Sequence, residues 1–351
     1  MGGPGYEAVI NKIKEYTNGH VTVTMAYANS ITSITESYLG LQDGRLDWSN
    51  VDTFLIPAEF PLTATLGHEM VVLRGPSPVA DTLSSYGALI QTAWETEEFS
   101  EEFAAQELRL LQPIDPNAQN ILACQEPATT LAELAGKQIR VGSLIQAAQV
   151  EALGGVPVTV AFPDLFESLQ RGIVDCLIIG GGSLVSFPGM TALAPYIINP
   201  QSSAFGMNMD SWAVNATRWA ELPLVLQQLV FDLNAERSVR AFETHPETNQ
   251  LLADGVAEGG GAFLDLAEDA DTALLELNES TVAAWSELTE VDGADFEERL
   301  RANLASWHER VLEAGYSDAP FSDIDNMTAP LDVDAFAAMF YESIVVPNRP
   351  S

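Results

Sequence analysis

Residues 131–176 read LAELAGKQIRVGSLIQAAQVEALGGVPVTVAFPDLFESLQRGIVDC, and their punctuation leaves few folds open. Residues 138–142, 156–161 and 173–179 read as strands, and 144–153 and 163–171 read as helices between them. Strands alternating with helices through short turns imply a parallel sheet and an α/β fold. Gly154 and Gly155 stop the first helix. Pro163 falls in the first turn of the second, where its missing N–H costs nothing, and Gly172 ends that helix.

A chain of 351 residues is better served by two α/β domains than by one core. Its apolar runs break well short of 18 residues, so no membrane-spanning helix is expected. The opening MGGPGYEAVINKIKEY lacks the apolar stretch of a signal peptide, as a mature or trimmed chain also would. Fifty acidic and 15 basic residues give a net charge of −35. Such a surface repels a phosphate backbone, which argues against nucleic acid as a partner. An anionic ligand would have to be held against that field by a local cation in a recess. Arginine suits this task, because its planar fork binds a carboxylate through two parallel hydrogen bonds.

Arg140, between Ile139 and Val141, is the candidate. An isolated arginine on an apolar strand needs a partner. A ligand carboxylate and a structural ion pair both answer that need. Signals for catalysis are weak, and no catalytic residue, metal or cofactor is expected. His68-Glu69 lacks the second histidine of HExxH. His20, His68, His245 and His308 are scattered, and Gly180–Ser183 matches neither a Walker loop nor a nucleophile elbow. Cys124 and Cys176 form no CxxC, so a zinc site is unsupported. A disulfide is possible outside the cytoplasm; two buried free thiols are the expectation.

Along the chain, helices are expected over 6–17, 37–43, 79–94 and 97–107. Strands are expected at 20–27, near 46–55, at 108–112 and at 120–124, with a turn at 113–117. Beyond the 131–176 unit come a glycine loop at 180–182, a strand at 204–209 and helices at 222–236 and 237–252. A short strand at 262–266 and amphipathic helices at 269–288 and 294–314 follow. The tail, 318–351, holds one helical patch at 333–344.

The segments LAGKQIRV, the Gly-Val-Pro-Val turn and AFPDLFESLQRGIVD, with PAEFPL at 57–62 and MNMDSW at 207–212, resemble the solute-binding proteins of TRAP transporters, the DctP family. The pattern runs from about Tyr6 to Tyr316. The resemblance implies a two-domain, periplasmic-binding-protein-like α/β fold with a hinge and a central ligand cleft. Domain I would be 1–118 plus 206–250, and domain II 119–205 plus 251–316. Residues 317–351 would wrap around them. The chain would cross between domains near Asn120 and Phe205.

In the family, the arginine at the position of Arg140 grips the carboxylate of an organic acid. An aromatic at the position of Phe162 lies against the ligand, and the loop holding Trp48 and Asp52 supplies a polar contact from domain I. Asp52 could hydrogen-bond a ligand hydroxyl or amine, or be a solvated surface acid. The family also places both cysteines on strands of the second domain. It begins with a central strand before the first helix, whereas only MGGPG precedes Tyr6 here.

Two departures bear on the ligand. Asn120 stands where some members carry a second arginine, and Ile178 and Ile179 stand where members often carry polar residues. A monocarboxylate with an apolar or aromatic body is therefore expected over a C4 dicarboxylate. The implied role is periplasmic or extracytoplasmic capture of a small organic acid and delivery to TRAP membrane subunits. The alternative is an enzyme or ligand sensor on the same fold.

Overall fold

The computed structural model describes residues 4–26, 30–66, 71, 75, 77–115, 120–207, 210–288 and 291–351. Their strands form a three-stranded and a six-stranded sheet. The smaller sheet takes β1 (Trp48–Val51), β2 (Leu108–Gln112) and β8 (Ser211–Asn215) in the order β1-β8-β2, with both pairings antiparallel. The larger comprises β3 (Asn120–Cys124), β4 (Gln138–Val141), β5 (Val156–Thr159), β6 (Cys176–Gly180), β7 (Tyr196–Asn199) and β9 (Ala262–Asp265). Its order is β5-β4-β6-β3-β7-β9.

The 131–176 unit forms as its pattern demands. The helices Leu144–Ala152 and Leu165–Gln170 connect β4, β5 and β6, and β4 pairs parallel with both neighbours. The sheet as a whole is mixed, because β3 inserts antiparallel between β6 and β7. Side chains alternate across it with the period of two that a strand imposes. Ile121, Ala123, Leu177, Ile179 and Ile197 fill a cluster on one face. Leu122, Cys124, Cys176, Ile178 and Ile198 fill another on the opposite face. Burial on both faces is why these strands read as continuous apolar runs.

A further cluster surrounds the small sheet and joins Val51, Phe60 and Leu110 to Met207, Ala213 and Phe242. The helix Gly293–Glu313 packs Phe296, Leu300, Trp307 and Val311 into this same cluster, against the helix Ala80–Trp94. The tail contributes Phe336 and Phe340, the latter stacked on Tyr86 with ring centroids 5.5 Å apart. Its earlier residues Phe321 and Met327 join a cluster of the large sheet, so the tail reaches both bodies.

Four local expectations fail. Residues 21–26 lie in no strand, although Val21 and Val23 still turn inward against Ile13 and Leu233. Alternation needs a neighbouring strand to become a ladder, and among the described residues none pairs with it. Gly180 ends β6 and Gly181–Val185 is a short helix, so the three glycines do not form an open loop. Residues 204–207 are in no strand, and 208–209, also within the MNMDSW match, lie outside the described residues; β8 makes the return at Ser211. Finally, Cys124 and Cys176 are joined in a disulfide rather than held as free thiols. The antiparallel register of β3 and β6 places them directly opposite, with Cα atoms 4.1 Å apart.

Candidate ligand-binding site

The chain passes between the sheets from β2 through Asp115 to β3, from β7 through Gly206 and Asp210 to β8, and from β8 through the helices of 216–259 to β9; the first two crossovers frame the site. They are tied to each other: the Asp115 N–H donates to the Asp210 carbonyl at 2.8 Å, and Asn120 Nδ2 donates to the Gly206 carbonyl at 2.5 Å. The helix Leu144–Ala152 is bolted to the second crossover. Gln146 Nε2 donates to the Gly206 carbonyl at 2.7 Å, and Gln149 Oε1 accepts the Gly206 N–H at 2.9 Å. A Cβ at Gly206 would stand 2.4 Å from Ile145 Cγ2, so only glycine permits this approach. The helix therefore presents its N-terminus at the crossover.

Arg140 sits at the C-terminal end of β4, just before that N-terminus. Its Nη1 donates to the Ile178 carbonyl at 3.2 Å, and its Nε is buried without a partner. Among the described residues no carboxylate pairs with it, and burial alone lowers its pKa from the ordinary guanidinium value. A guanidinium nonetheless stays charged at any physiological pH. The group lies over Gly142, where a Cβ would come within 3.3 and 3.4 Å of its terminal nitrogens. Ser143, the N-cap, has a buried hydroxyl without a partner among the described residues. A cation, an idle hydroxyl and the positive end of a helix thus converge. That combination stabilises a carboxylate or another small anion. The next residue, Leu144, is 90% exposed, which leaves apolar surface beside the charge.

The opposite side is built on β1. Trp48, Asn50 and Asp52 share one face of the chain, and Asn50 stands opposite Trp212 in the ladder. Asn50 Nδ2 donates to Asp52 at 3.1 Å and to Asp210 at 3.4 Å. Asp52 is only 8% exposed, and burial pushes its carboxyl up to about 6. Asp210 is raised further, by burial and by the charges of Asp115 and Asp52, against the pull of Arg237. Arg237 itself is spent on Asp115 through both terminal nitrogens and is stacked over Tyr6 and Trp212 at 4.9 and 4.7 Å. Trp48 packs edge-on to Trp212 at 5.7 Å, and neither indole N–H has a partner among the described residues.

The other expected site residues are placed differently. Phe162 lies after β5, 40% exposed, against Phe187 at 4.8 Å. Asn120 spends its amide on the Gly206 carbonyl and so serves the crossover. Ile179 is 3% exposed in the core with Ile121 and Leu184, so its side chain packs the sheet rather than a cleft wall. His68 and Glu69 lie outside the described residues. Among those described, Asp81, His308 and Asp318 bring donor atoms within 4.8 Å of one another. There Asp81 caps the Ser77 N–H and stands 3.7 Å from His308 Nδ1.

Sequence reasoning passed over Asn50, Asp115, Asp210, Arg237, Gln146 and Gln149. A signal existed for Arg237: Asn234, Arg237 and Ser238 recur at helical spacing within Leu224–Arg240, marking a polar stripe on a buried face.

The fold is shared with solved TRAP solute receptors. DctP7 of Bordetella pertussis, an extracytoplasmic solute receptor binding pyroglutamic acid, aligns with a TM-score of 0.66 at 18% identity, covering 85% of this chain and 94% of that one. A TRAP periplasmic solute-binding protein of Desulfovibrio salexigens with bound orotic acid gives 0.65 at 19%, covering 86% and 94%. The periplasmic ectoine-binding protein of the TeaABC TRAP transporter of Halomonas elongata gives 0.67 at 18%, covering 87% and 97%. Among the described residues no helix is long and apolar enough to cross a membrane. The family model DctP, described as bacterial extracellular solute-binding protein, family 7, matches residues 7–288. With sequence and fold in agreement, the chain belongs to the DctP family, the solute-binding proteins of TRAP transporters.

Proposed function

We propose that this protein works outside the cytoplasm, captures a small organic acid between its two sheets and delivers it unchanged to TRAP membrane subunits. The observation that carries the reading is Arg140, a half-buried cation without a carboxylate partner among the described residues, set at a helix N-terminus beside an idle hydroxyl. A buried charge left in that state is stabilised by an incoming anion. Two domains carry the two sides, with the crossovers at Asp115–Asn120 and Gly206–Asp210 as the hinge. The helix Gly293–Glu313 goes with the first domain, where its apolar face packs. Closure would exclude water and strengthen the Arg140 bond.

One cation neutralises one carboxylate, and exposed Leu144 and Phe162 offer apolar contact for the rest of the ligand. A monocarboxylate with an apolar or ring-shaped body therefore fits better than succinate or malate. The pyroglutamic and orotic acids of the fold relatives are ligands of that general kind. Calorimetry on Arg140→Ala is the test. Loss of the charged partner should weaken acid binding by about 2–5 kcal/mol, and Arg140→Lys should restore little of it, because a point charge does not replace the fork. Near-native affinity in Arg140→Ala would sink the assignment.

A further inference from the structure

Arg140 is one end of a dipolar site. The other end is Asp52, more than nine-tenths buried, which accepts a hydrogen bond from the neutral amide of Asn50. No arginine or lysine among the described residues pairs with it. The nearby Arg237 gives both terminal nitrogens to Asp115. The two ends are anchored to one short stretch of chain. Gly142, under the Arg140 guanidinium, is linked through Gln146 to the Gly206 carbonyl. Asp52 is linked through Asn50 to Asp210. Gly206 and Asp210 are four positions apart on one crossover, at most about 14 Å of fully extended chain. The cation and the acid are therefore each tied, through one or two side chains, to the same short segment, from opposite sides of the hinge.

Resting on the organic-acid reading above, we infer that the ligand is a zwitterion: its carboxylate goes to Arg140 and a cationic nitrogen goes to Asp52. A hydroxyl could donate to Asp52, but it would leave the carboxylate's charge uncompensated in a recess that already holds Asp115 and Asp210. A cationic nitrogen compensates it. The field of the whole molecule selects in the same direction. At a net charge of −35 it repels a simple carboxylate on approach, and it does not repel a neutral dipole. The faces of the neighbouring indoles add to the preference, since Trp212 already carries a cation at 4.7 Å on one side.

Matched pairs test this by calorimetry at pH 8: L-proline against cyclopentanecarboxylate, and L-phenylalanine against 3-phenylpropionate. The expected result is that in at least one pair the zwitterion binds tenfold or more tightly than its deaminated counterpart. Asp52→Asn should remove that gap by weakening the zwitterion without weakening the counterpart. Counterparts that bind as well as the zwitterions, or a gap that survives Asp52→Asn, would overturn the zwitterion and leave the organic acid standing. If no member of either pair binds, both readings fall. Small molecules released from the purified protein give an independent readout: a carboxylic acid without a basic nitrogen overturns the inference alone.

Discussion

Arg140 and Arg237 are both drawn out of water, and they are treated in opposite ways. Arg237 is 6% exposed and surrounded: Asp115 takes its terminal nitrogens, the Ser238 hydroxyl accepts from it at 2.9 Å, and the Tyr6 and Trp212 rings lie 4.9 and 4.7 Å from it. Ser238 and Asn234 in turn donate to Gln112 Oε1, whose amide donates to Tyr86 and to the Ile114 carbonyl. Arg140 has one backbone carbonyl. Burying a charge costs several kcal/mol unless partners compensate it. The first arginine is compensated by the fold and belongs to stability; the second is left without such compensation among the described residues, as the proposed ligand role requires. The same residue type thus marks a strut in one body and, under the proposed function, a receptor in the other.

The contrast is broken most directly at Arg237. Replacing it with alanine leaves Asp115 buried beside Asp210 with no cation, and breaking such a pair costs about 3–5 kcal/mol. Arg140→Ala should not lower stability and should raise it if anything, because it removes a half-buried charge that the fold does not compensate. Denaturant titration of the two variants checks this. Equal losses in both would erase the distinction between strut and receptor.

How much of this was legible differs between the two bodies. The large sheet was nearly readable, because β4, β5 and β6 carry local alternation and the glycines and Pro163 that bound their helices are local signals too. Arg140 stood out for the same reason, as a charge in a run of apolar neighbours. The Arg237 network was not readable, since Asp115, Asp210 and Arg237 lie 122 positions or fewer apart on three elements that meet only after folding. Residues 21–26 show the converse. Their alternation was plain, but a strand exists only when another pairs with it. The disulfide falls between the two cases: both strands were expected, and only their register decides that Cys124 meets Cys176.

That register bears on the receptor side alone. Cys176 lies two residues before Ile178, the acceptor of Arg140, on the strand next to β4. Replacing both cysteines by alanine should lower stability by about 2–4 kcal/mol, in line with the removal of a native cross-link. It should also loosen the seat of Arg140 and weaken ligand, while leaving the Arg237 network intact. Melting curves with ligand titration would show it. Titration of two thiols in the unreduced native protein would refute the bridge.

The smallest effect sharpens the comparison through protons. Asp52, pushed up to about 6, and Asp210, raised further, hold protons in the folded state that their unfolded counterparts release near 3.8. Where the folded state binds more protons, stability falls as pH rises. The fall should begin near pH 4, run through about 6 as Asp52 ionises and continue above it for Asp210. Each retained proton contributes up to about 1.4 kcal/mol per pH unit. The charges facing this pair are Asp115 and Arg237, and Tyr6, pushed up to about 12, stays neutral throughout. Asp43 and Glu133, lowered by hydrogen bonds from backbone N–H groups, act with the opposite sign and only at lower pH. Asp210→Asn should therefore flatten the curve between pH 5 and 8, and Arg140→Ala should not change it. If Asp210→Asn keeps the native slope, self-repulsion of the −35 charge is setting it, and the surplus of acid beside Arg237 holds no proton of its own.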